Sequence, residues 1–232
     1  MSDWTEFAVR EGMSISARSP VREIPEVAQF FAPFLAENDA ALAEPFRGVT
    51  TDVMLRPRDR IRTGIASEAI TEAAEAFLAL VDAPTRSRLS FPFESSHWRS
   101  WFNPHINVYR HGVMLEELSV PQRNAFLDLL RATLSTRGYA QARDIMRLND
   151  LLAEVTARAD DYGEWPYFVS FFGVRGADGP WGFQFCGPHP AANCVVAGTA
   201  PPMPPMSLIS RLCDGRTGQV AVFPVLEADA RV

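Results

Sequence analysis

The sequence predicts an α+β fold, and three observations carry that expectation. Apolar residues recur at helical spacing in several stretches up to about residue 157. After Tyr162 the residue types change to aromatic and β-branched runs bounded by Gly or Pro. The first of those boundaries, Arg175-Gly176-Ala177-Asp178-Gly179-Pro180, supplies turn chemistry, so an antiparallel meander packed on the helices is the expected arrangement.

Taken in order, Ile24, Val27, Phe31, Phe34 and Leu35 mark a helix from Ile24 to Leu42 that Pro33 should kink or divide. Pro45, Gly48, Pro57 and five Arg between Arg47 and Arg62 dissolve the pattern into irregular chain. Ile70, Ala74, Phe77 and Val81 then form the apolar face of a helix starting near Ser67 and ended by Pro84. Ser119 and Gln122 have capping-box spacing, and the helix they open, Val120 to Leu134, turns Phe126, Leu127, Leu130 and Leu134 inward. Gly138 can supply the left-handed residue that closes it. A second helix to about Ala157, with Ile145, Leu148, Leu152 and Val155 inward, completes an αα-hairpin over about 120–157. Strands follow at Tyr167–Val174, Trp181–Cys186 and Asn193–Ala197. Tyr167, Val169 and Phe171 alternate with Phe168, Ser170 and Phe172, so both faces of the first strand need cover, and Phe91 to Tyr109 is the candidate for the second face. Residues 1–198 read as one domain. Residues 199–232, with four Pro between Thr199 and Ser207, read as a weakly packed tail whose one regular element is a strand at Val220–Leu226.

Composition narrows the chemistry. With 47% hydrophobic and 22% charged residues the chain can bury a core and is not disordered. A net charge of −6 without a basic block argues against a nucleic-acid partner. All 22 basic residues are Arg, and the absence of Lys excludes Schiff-base chemistry, a P-loop and a Lys general base. Neither G-x-G-x-x-G after a strand nor G-x-S-x-G occurs, so no nucleotide cofactor and no acyl transfer are expected. Cys186, Cys194 and Cys213 include no C-x-x-C pair, and no run approaches the ~18 apolar residues of a membrane span. A cytoplasmic protein with no membrane partner is the expectation; the oligomeric state is left open.

Ser135-Thr136-Arg137-Gly138-Tyr139, Arg143 to Asn149, and Pro180-Trp181-Gly182-Phe183-Gln184 resemble the bacterial family called domain of unknown function 3500. Pro45 to Thr51, Trp98 to Asn103, Tyr109 to Val113 and Tyr162-Gly163-Glu164 resemble further segments of it in order, over about 44–198. That family usually follows its Trp-Gly-Trp-Gln with an acidic residue and Gly-His-His-Leu. Here Cys186 stands for the acid, Pro188 for the first His and Pro190 for the Leu, while His189 and Asn193 match.

The resemblance therefore implies a short member with a degenerate motif. His189 is the candidate catalytic residue, and His189 with Cys186 forms a C-x-x-H pair that could hold a transition metal, with Cys194 on the next strand. The other reading is a buried apolar Cys and a loop His. His97, His105 and His111 lie among Trp98, Trp101, Asn103, Tyr109 and Arg110, a density of aromatic and polar groups that suits a pocket wall or, equally, a core closure. Trp101, Asn103, Tyr109, Arg110, Arg147, Gln184 and Asn193 are the candidate ligand-binding residues. Arg143 and Arg147 could clamp an anion or pair with Asp144 or Glu154. Two functions follow: a non-catalytic small-ligand-binding member, or a metal-assisted hydrolase or oxidoreductase acting on a small polar or anionic metabolite.

Overall fold

The structure is a computed structural model that describes residues 25–43, 67–101, 109–173, 180–187, 191–196, 207–209 and 222–224. Within them the α+β class holds, with a mainly antiparallel sheet faced by helices. The first helix, α1 (Pro25–Ala43), continues through Pro33. Helix α2 (Ser67–Leu80) presents the face that its spacing dictates, with Ile70, Ala74, Phe77 and Val81 all buried. Pro84 ends nothing by itself. It sits in the first turn of a further short helix, α3 (Ala83–Leu89), where its missing N–H is not needed, and the Asp82 carboxylate caps that turn by accepting from Thr85 N at 2.9 Å.

Helix α4 (Val120–Thr133) starts at the expected capping box, with Ser119 N donating to Gln122 Oε1 at 2.8 Å. The Gln122 amide also donates to Leu80 O at 2.9 Å, which pins the start of α4 to the end of α2. Gly138 is not the closing residue of α4. The chain leaves α4 through an extended Leu134 (φ −97°, ψ 153°), Ser135 caps the next helix, and Gly138 donates its N–H to Ser135 Oγ inside the first turn of α5 (Thr136–Thr156). The inward face of α5 also departs from expectation. Met146 and Asn149 are buried, whereas Leu148 and Val155 are exposed. Polar groups outrank apolar spacing here, because Arg143 reaches Glu164 at 2.5 Å and Asn149 Nδ2 reaches Gly163 O at 2.6 Å. Helix α4 packs along α2 far more than along α5.

Among the described residues, five strands form the main sheet. Two-residue strands β1 (Ser90–Phe91) and β2 (Val113–Met114) both pair with β3 (Phe168–Phe172), β1 parallel and β2 antiparallel. Strands β4 (Trp181–Cys186) and β5 (Ala191–Val196) continue it antiparallel on the other side of β3. The sheet is thus not built only from segments after residue 165, since β1 and β2 come from earlier chain. In the tail, β6 (Ser207–Ile209) lies close to β5 and pairs antiparallel with β7 (Val222–Pro224), so the strand near Val220 pairs with β6 and not directly with the main sheet. The remainder of the tail lies outside the described residues.

One face of the sheet makes the core. Phe77 of α2 stacks on Phe171 at 5.8 Å and meets Phe126 of α4 edge-on at 5.5 Å. Phe126 in turn contacts Phe183 and Phe185 at 6.2 and 5.6 Å. Such aromatic contacts each add about 0.5–1.5 kcal/mol beyond burial. The opposite face meets the first part of the segment expected to cover it: Trp98 stacks on Phe172 at 3.9 Å and Phe91 lies 5.6 Å from the same ring, while residues 102–108 lie outside the described residues. Gly182 permits that approach. A Cβ there would lie 2.1 Å from Cys194 O and 2.9 Å from Trp98 Cη2.

Candidate ligand site built on Gln184

Strand register places Ser170, Gln184 and Asn193 side by side across β3, β4 and β5, on the covered face. A polar row between sheet and cover costs about 1–3 kcal/mol for every group left without a partner. Gln184 meets that demand fully. Its Nε2 donates to Trp98 O at 3.0 Å and to Asn193 Oδ1 at 2.6 Å. With the amide nitrogen so engaged, its Oε1 faces His111 Nε2 at 2.8 Å, and the imidazole nitrogen is the donor. Ser170 Oγ completes the row by donating to His111 O at 3.2 Å.

One buried carboxamide therefore holds Trp98 at one end and His111 at the other end of the segment that the sequence singles out as a pocket wall. The His97 ring stacks on His111, centroids 4.7 Å apart and planes 13° from parallel, and Phe91 meets both edge-on. His111 is kept neutral. Burial is the main cause, the nearby His97 adds to it, and together they outweigh the Gln184 hydrogen bond, taking the pKa down to about 4.

Near these anchors, three side chains of the described residues reach a cleft. Arg99, Trp101 and Tyr109 line a cleft of about 200 Å³ whose other wall is Asn38 and Leu42 of α1. The Tyr109 hydroxyl donates to Asp39 Oδ1 at 3.1 Å, tying the two walls together. Arg99 is a lining residue that the sequence signals only through its place between Trp98 and Trp101.

The remaining candidates fall in different places. Gln184 and Asn193 are bonded within the protein and position the cleft wall rather than line it. Arg110 lies over the Phe168 ring at 5.6 Å. Arg147 projects from the outer side of α5 and pairs with Asp144 at 3.6 Å, whereas Arg143 points inward to Glu164 with its guanidinium 5.1 Å from the Trp165 ring. The two Arg do not form a clamp. Cys186 and Cys194 occupy opposite faces of the sheet, Cys186 beside Met114 and Phe168 and Cys194 in the helix-side core. Burial pushes both thiols up to about 12. Asn103, His105 and His189 lie outside the described residues, and with His189 so does the C-x-x-H pairing.

Arg143 and Asn149 come from one resembling run and Gly163 and Glu164 from another, and their contacts bring the two runs together in space. The family model described as "Protein of unknown function (DUF3500)" matches residues 63–208. The chain belongs to the DUF3500 family. The match begins after Pro45 to Thr51 and runs from before α2 into β6, including the whole main sheet and the Gln184 row. Comparisons with curated proteins and with solved structures gave no match. Among the described residues, no helix is long and apolar enough to cross a membrane.

Proposed function

We propose that this DUF3500 member is a non-catalytic binding protein that takes a small, planar, anionic or polar metabolite in the cleft of Arg99, Trp101 and Tyr109. The observation that carries the reading is the Gln184 carboxamide, which fixes both ends of the segment presenting those side chains. Preorganisation of this kind lowers the ordering cost of binding. The chemistry of the lining suits the ligand class: a guanidinium for a carboxylate or phosphate, an indole face for a flat group, and the Asn38 amide for a polar substituent. Ligand pockets commonly hold roughly 300–1,000 Å³, so a cleft of about 200 Å³ favours a small metabolite.

The non-catalytic half of the reading is supported by the state of the reactive groups. The His111 Nε2–H is committed to Gln184, and the Cys186 thiol is held protonated by burial, which makes it a poor nucleophile and a reluctant metal ligand. Metal-assisted chemistry through His189 and Cys186 is the competing function, and it rests on the degenerate motif.

Titration calorimetry with benzoate, and with benzamide as its neutral counterpart, tests the binding reading. Benzoate should bind more tightly, and Arg99→Ala should erase the preference while Trp101→Ala weakens both. Equal heats for wild type and both variants would refute the site. Elemental analysis separates the alternative: stoichiometric zinc, copper or iron retained after chelator washing, and raised by Pro188→His with Cys186→Asp, would favour the enzyme.

A further inference from the structure

On the solvent side of α5, Leu148, Leu151 and Val155 are 57%, 50% and 75% exposed, with the half-buried Leu152 beside them. Their spacing of three and then four is that of successive a, d and a positions of a heptad, and it makes a seam directed away from the buried Met146 and Asn149. Single exposed apolar residues need no explanation, but a seam of three at coiled-coil spacing marks a contact surface.

The charges beside the seam say what covers it. Arg147 and Glu154 are exposed and seven residues apart, so they occupy the same heptad position on the same flank. In an antiparallel helix pair, equivalent flanks face each other and the order of residues is reversed. Two copies of α5 crossing near Leu151 then bring Arg147 of each copy opposite Glu154 of the other, twice, by symmetry. A parallel pair offers nothing similar, because Arg147 would lie beside Leu152 of the second copy. Arg147 is held at home only by Asp144, 3.6 Å away, with both side chains about two-thirds or more exposed, a contact that is easily exchanged.

We infer that α5 is an isologous dimer surface: a second copy of this chain docks antiparallel on the Leu148–Leu151–Val155 seam, and reciprocal Arg147–Glu154 pairs set its direction. One helix against one helix falls at the small end of specific interfaces, below about 1,200 Å² of buried surface, so the dimer should form in the micromolar range and dissociate on dilution.

Sedimentation velocity on the full chain over about a hundredfold range of concentration tests this. The wild type should shift from monomer to dimer. Leu151→Asp should stay monomeric throughout with an unchanged circular dichroism spectrum, since the side chain is exposed. Arg147→Glu and Glu154→Arg, each placing like charges opposite each other, should each weaken dimerisation by about tenfold or more, and the Arg147→Glu/Glu154→Arg double variant should recover it. Three results would overturn the proposal: a monomer at every concentration, a dimer that survives Leu151→Asp, or a double variant no better than the singles.

Discussion

Replacing Gln184 by Met tests the clamp on which the cleft depends. Met has nearly the same length and volume and adapts to its surroundings, so the substitution removes hydrogen bonds without opening a cavity. Three contacts disappear: His111 Nε2 at 2.8 Å, Trp98 O at 3.0 Å and Asn193 Oδ1 at 2.6 Å. His111 is only 7% exposed and cannot turn to water, and Trp98 O is held under the cover, so each should lose about 1–3 kcal/mol. Asn193 is half-buried and can find solvent, and contributes little. The sum is about 2–6 kcal/mol, or a fall in melting temperature of roughly 10 °C at about 2–4 °C per kcal/mol for a chain of this size. Urea unfolding followed by circular dichroism measures the total. Native-state hydrogen exchange gives its location, which should be residues 96–101 and 109–111 and not α2 or α4. A loss under about 1 kcal/mol, or protection lost equally from the helices, would refute the clamp.

Three further outcomes follow from the same geometry. Because the folded pKa of His111 lies near 4 against 6.5 in the unfolded chain, the unfolded state binds more protons between those values. Stability should then fall by about 3 kcal/mol as pH drops from 6.5 to 4, and a His111→Gln variant should lack that component when the two pH profiles are subtracted. Iodoacetamide at pH 8 should leave the buried Cys194 unmodified in the folded protein, modify the partly exposed Cys186 only slowly because its thiol is held protonated, and label both in urea, as read by peptide mass spectrometry. Arg143→Ala should cost about 2 kcal/mol by leaving Glu164 partly buried and unpaired, and Arg143→Lys should recover less than half of it because Lys cannot lie flat over Trp165.

What the sequence disclosed, and what it hid, follows from the physics of each element. Helix α2 was legible because Ile70, Ala74, Phe77 and Val81 are apolar at helical spacing and nothing competes with that face. Helix α5 carries two faces of comparable claim. Spacing favours Ile145, Leu148, Leu152 and Val155, but the face that turns in contains Arg143 and Asn149, whose partners at Gly163 and Glu164 lie beyond the reach of a periodicity rule. Strands β1 and β2 have two residues each, too few to show alternation, and exist because β3 offers an edge. The site was half legible. His111, Trp98, Gln184 and Asn193 were each noticed, but the bond joining His111 to Gln184 spans 73 residues, and only strand register reveals that it anchors the cleft instead of lining it.

The contacts of the Gln184 row also differ in when they can be completed. The Gln184–Asn193 contact spans nine residues and can form as soon as β4 and β5 meet, whereas the bonds from Gln184 to Trp98 and His111 span 86 and 73. Closing loops of that length has to wait until the row that receives them exists. The segment carrying Arg99, Trp101 and Tyr109 should therefore be the last part of that face to settle. What settles last opens first, so the cleft can admit its ligand through a local opening that leaves the helix-side core intact.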